Sequence, residues 1–111
     1  RLLPHKGINY LIVGFRVLGR DDYTLRIIGR VHDQQFLAFL KERATGLRVD
    51  FVHDATDDRL LAEYQTARAT VLSSVHNTYQ GHYTPVPELM GFTLLESQAC
   101  GTPVVAFMSG G

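Results

Sequence analysis

The chain has 111 residues, 45% of them hydrophobic and 20% charged, which is the composition of a folded protein of one small domain or a piece of one. Its 11 basic and 11 acidic side chains balance, which removes any bulk argument for a nucleic-acid partner or an anionic membrane surface. The single cysteine excludes an internal disulfide and suits a reducing compartment, and no apolar run approaches the roughly 18 residues that a membrane-spanning helix needs.

Hydrophobic periodicity predicts helices and strands that alternate along the chain. Asp33 is suited to accept hydrogen bonds from the first turn of a helix, and Gly19, Gly46 and Gly101 stand where helices are expected to stop. The predicted elements, in chain order, are a polar loop at 1–7, a helix at 8–18, a strand at 23–28, a helix at 33–44, a strand at 47–52, a helix from 57 or 58 through 64, a strand at 70–72, a long polar loop at 75–87, a short helix after residue 91 and a strand at 104–107.

This alternation predicts a Rossmann-like α/β fold, a parallel sheet with crossover helices on both faces. Ligands of such sheets bind at the carboxyl ends of the strands. The loops after Gly29, Val52 and Leu72, and the loop before the last helix, are therefore expected to lie together at one edge of the sheet.

The stretch from Pro87 to Pro103 carries the most specific chemistry. It is predicted to form a loop and a short helix, with Gly91 permitting a tight bend at the helix entrance. The first turn of a helix has N–H groups without internal partners and therefore attracts anions. Glu88 and Glu96 flank this turn. They would repel a bare phosphate, but they suit a ligand with phosphate in the middle and hydroxyl-rich groups on either side, as in a sugar nucleotide.

The run PELMGFTLLESQACGTPVV resembles the E-x₇-E motif of the retaining GT-B glycosyltransferases, as it appears in glycosyltransferase family 4, with the two flanking glutamates as its acids. RLLPHKGINYLI at the start of the chain resembles the family's R-x₄-K-G segment, here Arg1, Lys6 and Gly7. Ser109-Gly110-Gly111 resembles the segment after the family's last strand, although the Pro-Glu pair that usually follows is absent. The resemblance therefore runs nearly from end to end.

The resemblance implies that residues 1–111 are part of a nucleotide-sugar-binding domain, the C-terminal half of a GT-B fold. In the family, the R-x₄-K segment follows the first and central strand, which this sequence does not contain. A sheet of order 3-2-1-4-5-6 would then lack its middle. We interpret the chain as a fragment and expect either a distorted sheet or a gap filled by another copy, for example by strand exchange in a homo-oligomer.

The resemblance also implies roles for individual residues. Arg1 and Lys6 are expected to bind the donor diphosphate, and Glu88 to lie near the transferred sugar, which makes Lys6 and Glu88 the expected catalytic residues. Glu96 is expected to hold the ribose hydroxyls. The residues expected to contact sugar and phosphate through backbone N–H groups are Gly91, Phe92, Thr93 and Leu94.

On the same resemblance, the parent enzyme transfers a sugar from a nucleotide-diphospho-sugar donor to an acceptor hydroxyl, without a metal ion or cofactor. Its N-terminal acceptor domain is missing, so the chain alone is expected to bind nucleotide weakly and not to catalyse. The parent is expected in the cytoplasm, with peripheral membrane attachment as an option.

Other interpretations stay open on the residues alone. Lys6 and Arg1 could be solvated loop cations, and Glu96 could be an exposed helix charge. Ser73 and Ser74 could touch the ligand or serve only in a turn. The whole chain could be a non-catalytic nucleotide-binding or regulatory module on a Rossmann-like fold. A sugar-nucleotide epimerase is a further option, although the resembling epimerases lack the PELMGFTLLE run.

The sequence gives less specific evidence on the remaining candidate residues. Val52 and His53 lie where the family's nucleobase pocket forms. His76 and His82 lack the spacing of a helical metal site, so no metal site is predicted. Cys100 is expected to be a core residue, because a helix C-terminus does not favour a thiolate.

Overall fold

The structure is a computed structural model that describes residues 1–110. None of the helices in this part of the chain is long and apolar enough to cross a membrane. A single 3₁₀ turn at Pro4–Lys6 precedes the regular elements. These elements are the helices α1 (Ile8–Leu18), α2 (Gln34–Arg43), α3 (Asp57–Thr66) and α4 (Phe92–Ala99), and the strands β1 (Leu25–Ile28), β2 (Val49–Val52), β3 (Thr70–Leu72) and β4 (Val104–Ala106).

The strands form two parallel pairs. β1 pairs with β2, with Leu25 opposite Val49, and β3 pairs with β4, with Thr70 opposite Val104. Within residues 1–110, no ladder joins the two pairs. The predicted α/β fold with parallel strands is confirmed, and the break between β1 and β3 is where the sheet was expected to lack a strand. Strand exchange with another copy stays a prediction.

Element boundaries differ from the predicted ones by a few residues. The predicted loop at 1–7 contains the 3₁₀ turn, because Pro4 has the backbone angle that a helical first turn requires. β1 and β2 each begin two residues later than predicted. In β2 the reason is that the N–H of Leu47 donates to the carbonyl of Ala44, 2.9 Å away, in the turn that ends α2.

Side-chain caps fix the starts of two helices. The Asp33 carboxylate accepts hydrogen bonds from the N–H groups of Gln35 and Phe36, at 2.8 and 3.3 Å, which confirms the predicted cap of α2. α3 begins at Asp57, but its cap is the preceding residue, Thr56, whose hydroxyl accepts from a first-turn N–H. Each cap satisfies donors that the helix itself leaves without partners.

Replacing Asp33 with alanine is expected to lower the free energy of unfolding by about 1 kcal/mol, because two first-turn N–H groups lose their acceptor. Urea unfolding measures this loss. Asp54→Ala is the matched control, since Asp54 is exposed and precedes no helix directly. Equal losses in the two variants would show that the cap does not stabilise α2.

The apolar core lies in the half of the molecule that contains α1, α2 and the first strand pair. Ile12 and Leu40, at the centre of this core, have no exposed surface. The other buried hydrophobic residues are Leu2, Ile8, Ile27, Phe36, Leu37 and Ala44. Helix α1 packs on α2, while α4 packs on α3, β3 and β4.

Hydrogen-bonded hydroxyl groups help to attach α4 to the second strand pair. Ser97 is fully buried, and its hydroxyl lies 2.8 Å from that of Thr70 and 3.2 Å from the carbonyl of Thr102. Leu95 is 52% exposed, and Ser97 faces the strands in its place. Cys100, which was expected in the core, is only partly buried.

Candidate functional site

The start of the chain is fastened to the carboxyl end of β3. The Ser73 hydroxyl donates to the Lys6 carbonyl at 2.8 Å, and the Val75 N–H donates to the His5 carbonyl at 2.9 Å. Gly7 has a φ of +65°, and a Cβ atom there would lie 1.9 Å from the Ser73 carbonyl oxygen. Glycine is required for this close approach, which fixes the backbone of Lys6 beside the end of the strand.

Lys6 and Glu88 form an ion pair across 82 residues of sequence, with Lys6 Nζ 2.7 Å from Glu88 Oε2. Both side chains are mostly buried, with 25% and 17% of their surface exposed. The Ser74 hydroxyl donates to the same carboxylate oxygen at 3.3 Å, and the Gly91 N–H donates to the other oxygen at 3.3 Å. Three donors therefore converge on one carboxylate at the entrance to α4.

These contacts control the charge of Glu88. Burial alone would raise its pKa, but the hydrogen bond and charge of Lys6, with the Gly91 and Ser74 hydrogen bonds, outweigh burial and lower the pKa from its ordinary value. The depressed pKa means that this stabilisation is fully present above the ordinary pKa of the carboxyl group. It is lost as the pH falls through the folded-state pKa. Glu88 is therefore ionised at neutral pH.

Helix α4 is preceded by a glycine, which offers no side-chain cap. Gly91 is its N-cap, with a φ of +70°. The Leu94 N–H donates to the Gly91 carbonyl at 2.9 Å, so of the four residues expected to present backbone donors, Leu94 already uses its own within the helix. The positive end of the helix dipole adds to the charge of Lys6 at this point.

The segment after β4 closes over Glu88. The Ser109 hydroxyl donates to the Ser74 carbonyl. Gly110 has a φ of +99°, and a Cβ atom there would lie 2.1 Å from the Glu88 carbonyl oxygen. Gly111, the last residue of the Ser-Gly-Gly segment singled out in the sequence, lies outside the described residues.

Glu96 is the second acid of the motif and is held by a residue of another helix. The Tyr64 hydroxyl, on α3, donates to Glu96 Oε2 at 2.8 Å. Burial, together with the hydrogen bond and the charge of Glu96, raises the pKa of Tyr64 to about 12. A hydrogen bond with Thr93 has the opposite effect and lowers this pKa. Glu96 is exposed and lies roughly 6 Å along the helix axis from Phe92.

Arg1 lies at the end of β1. The N–H of the next residue, Leu2, donates to the Arg30 carbonyl at 2.9 Å, and an added Cβ on Gly29 would touch the Arg1 backbone nitrogen at 3.4 Å. The Arg1 side chain is not part of the Lys6–Glu88 ion pair.

The histidines singled out in the sequence have separate surroundings. His53 packs against Phe51 at the end of β2, with ring centroids 6.5 Å apart. His76 is hydrogen-bonded through Nδ1 to the Thr84 carbonyl, 3.1 Å away, and its ring stacks on Tyr83. Both contacts join residues within the polar loop at 75–87. In the part of the chain that the structure describes, no group of three or more His, Cys, Asp or Glu side chains is placed to hold a metal ion.

Sequence reasoning missed Tyr64 entirely and left Ser74 with an open role. The contact of Tyr64 with Glu96 depends on how α3 packs on α4, and no local pattern encodes that packing. Ser74 was named because it ends a strand, and the structure shows that its hydroxyl meets the motif glutamate.

A cavity of about 730 Å³ opens beside the ion pair, at the ends of β3 and β4. Ser74 and Ser109 line its inner side. Its other walls are Tyr10, Val75, His76, Asn77, Phe107 and Met108. Since Ser74 contacts both this cavity and Glu88, the ion pair lies at the cavity's border.

The chain matches a known protein family in sequence and a solved glycosyltransferase in structure. The family described as glycosyl transferases group 1 matches residues 1–111. The structure resembles the crystal structure of AviGT4, a glycosyltransferase involved in avilamycin A biosynthesis, with a TM-score of 0.80 and 22% sequence identity, a likeness that concerns the fold. The match covers 99% of this chain and 31% of AviGT4. No curated protein sequence matches the chain.

Proposed function

Since the chain belongs to the group 1 glycosyl transferases, we propose that it forms the donor-binding part of a retaining enzyme of glycosyltransferase family 4. Such an enzyme transfers a sugar from a nucleotide-diphospho-sugar to an acceptor hydroxyl. The parallel strands and their crossover helices fit the C-terminal half of a GT-B fold. On this proposal, acceptor binding belongs to a separate N-terminal domain of such an enzyme.

The observation that carries this proposal is the ion pair of Lys6 and Glu88 at the entrance of α4. It joins the R-x₄-K-G segment to the E-x₇-E motif, although 82 residues separate them. A mostly buried ammonium group next to the positive end of a helix is suited to an anion. We assign this anion to the diphosphate of a sugar-nucleotide donor, because the neighbouring Glu88 carboxylate can accept hydrogen bonds from the hydroxyl groups of the sugar.

In the donor complex, Lys6 turns from Glu88 to the diphosphate and offsets the negative charge that develops on the leaving nucleoside diphosphate. Backbone N–H groups of Phe92 and Thr93 supply further donors. That of Gly91 becomes a donor to the ligand only when it leaves Glu88, and that of Leu94 contributes less because it is bonded within the helix. Glu88 is then free to accept hydrogen bonds from the transferred sugar. Lys6 and Glu88 are accordingly the proposed catalytic residues.

Glu96 is proposed to accept hydrogen bonds from the ribose hydroxyls. It lies roughly 6 Å along the helix from Phe92, so a nucleotide whose phosphate binds at the first turn can extend its ribose along α4 towards Glu96. Its carboxylate is exposed, and carboxylate oxygens accept hydrogen bonds from hydroxyl groups. Arg1 is proposed to add a second cation near the diphosphate. Because these groups supply the positive charge, the proposal assigns neither a metal ion nor a cofactor.

Calorimetric titration of the protein with UDP, GDP and ADP tests this proposal. Lys6→Ala is expected to weaken binding of the preferred nucleotide about ten- to hundredfold, because a charge-assisted contact to phosphate is lost. Lys41→Ala is the matched control, since Lys41 is an exposed lysine on α2. The expected result is normal binding by the control. Equal binding by wild type, control and Lys6→Ala would remove the site assignment.

A further inference from the structure

The contact between Tyr64 and Glu96 links a residue with no assigned role to the second acid of the motif. The phenol oxygen of Tyr64 is 2.8 Å from Glu96 Oε2, and the two residues are 32 positions apart on different helices. Tyr64 is partly buried between α3 and α4, whereas Glu96 is exposed. A partly buried donor therefore holds an exposed carboxylate.

The surroundings of Tyr64 fix its position on both sides. Its backbone carbonyl accepts a hydrogen bond from the Thr102 hydroxyl, which attaches the end of α3 to the segment between α4 and β4. Thr93 lies near the phenol as well, one helical turn before Glu96 and on the same face of α4. A phenol is protonated at neutral pH, and burial raises the pKa of Tyr64 further, to about 12, so its hydroxyl is a hydrogen-bond donor to Glu96.

An exposed glutamate on a helix samples several rotamers, and a ligand that uses it must first order the side chain. A fixed donor on one oxygen reduces this cost, because the carboxylate is oriented before the ligand arrives. The oxygen that accepts from Tyr64 retains a lone pair, and the other oxygen retains two. The oriented carboxylate can therefore still accept hydrogen bonds from two neighbouring hydroxyl groups.

We propose that Tyr64 is a positioning residue that orients the Glu96 carboxylate to accept both hydroxyls of the donor ribose, and so favours ribonucleotides over nucleotides that lack those hydroxyls. This proposal rests on the proposed function, which assigns Glu96 to the ribose. Tyr64 acts through Glu96 and is not expected to touch the nucleotide.

The test compares two ligands on four proteins. The ligands are whichever of UDP, GDP and ADP binds most tightly and its 2′,3′-dideoxy counterpart, and the proteins are wild type, Tyr64→Phe, Glu96→Ala and Tyr23→Phe. Tyr23 is the control, because it precedes β1 and its ring lies against the Arg20 guanidinium, outside the candidate site. Calorimetry gives the ratio of the two dissociation constants for each protein, and thermal unfolding verifies that each variant folds.

Wild type and Tyr23→Phe are expected to prefer the ribonucleotide by about tenfold or more, Tyr64→Phe by about threefold, and Glu96→Ala not at all. A merely structural Tyr64 would weaken both ligands equally in Tyr64→Phe, and that unchanged ratio overturns the proposal. If wild type does not discriminate, or if Glu96→Ala discriminates normally, the ribose assignment itself fails and this inference fails with it.

Discussion

Replacing Gly7 with alanine is expected to destabilise the protein by about 4 kcal/mol or more, a large part of the stability of a small domain. The added Cβ would lie 1.9 Å from the Ser73 carbonyl oxygen, and the atom in its way is backbone at the end of β3. Neither the backbone at residue 7 nor the Ser73 carbonyl can move away without separating the start of the chain from the end of β3. The Lys6–Glu88 ion pair should be lost together with this close approach.

Gly19→Ala separates the steric effect from the cost of a left-handed backbone. Gly19 has a φ of +66°, almost the same as that of Gly7, but the nearest atom to an added Cβ is the Val17 carbonyl oxygen at 3.8 Å. This control is expected to lose only about 1–2 kcal/mol. Urea unfolding followed by circular dichroism measures both variants. Similar losses would mean that Gly7 does not approach Ser73 as described.

Replacing Glu88 with glutamine is expected to tighten the binding of a nucleoside diphosphate about three- to tenfold. In the structure, the Glu88 carboxylate takes the hydrogen bonds of Lys6, Ser74 and Gly91. A diphosphate must therefore displace a negative charge that already occupies the site. Glutamine keeps the shape of the side chain but removes the charge, which frees Lys6 for the phosphate.

Glu42→Gln is the control for this experiment, because it removes the same charge from an exposed position on α2. Its affinity for the nucleotide should match that of wild type. Calorimetry at low and high salt measures the effect, and the gain in Glu88→Gln should shrink as salt screens the charges. Weaker or unchanged binding in Glu88→Gln would contradict the competition between Glu88 and the ligand.

Local sequence patterns were sufficient to predict the fold, because each element carries its own signal. Asp33 caps α2 as its position predicted, and apolar spacing located α1 and the strands. Boundaries were less accurate where turn hydrogen bonds compete with strand pairing, as at Leu47. Family resemblance added the pairing of two distant motifs, and the structure places Lys6 and Glu88 within 2.7 Å of each other.

Contacts between elements could not be predicted in the same way. Nothing near Tyr64 in the sequence indicates that its hydroxyl reaches Glu96, because this depends on the packing of α3 on α4. The polar loop at 75–87 is a further example. Its Tyr79 stacks on Phe39 of α2 with ring centroids 4.5 Å apart, a contact between two segments that periodicity treats separately.

The most direct test of the central claim, that a diphosphate binds between Lys6 and the first turn of α4, is a map of backbone amide shifts during titration with the preferred nucleoside diphosphate. The largest shifts are expected at Lys6, Gly91, Phe92 and Thr93. A map that leaves these amides unmoved, with its largest shifts elsewhere in the chain, would contradict the proposed site.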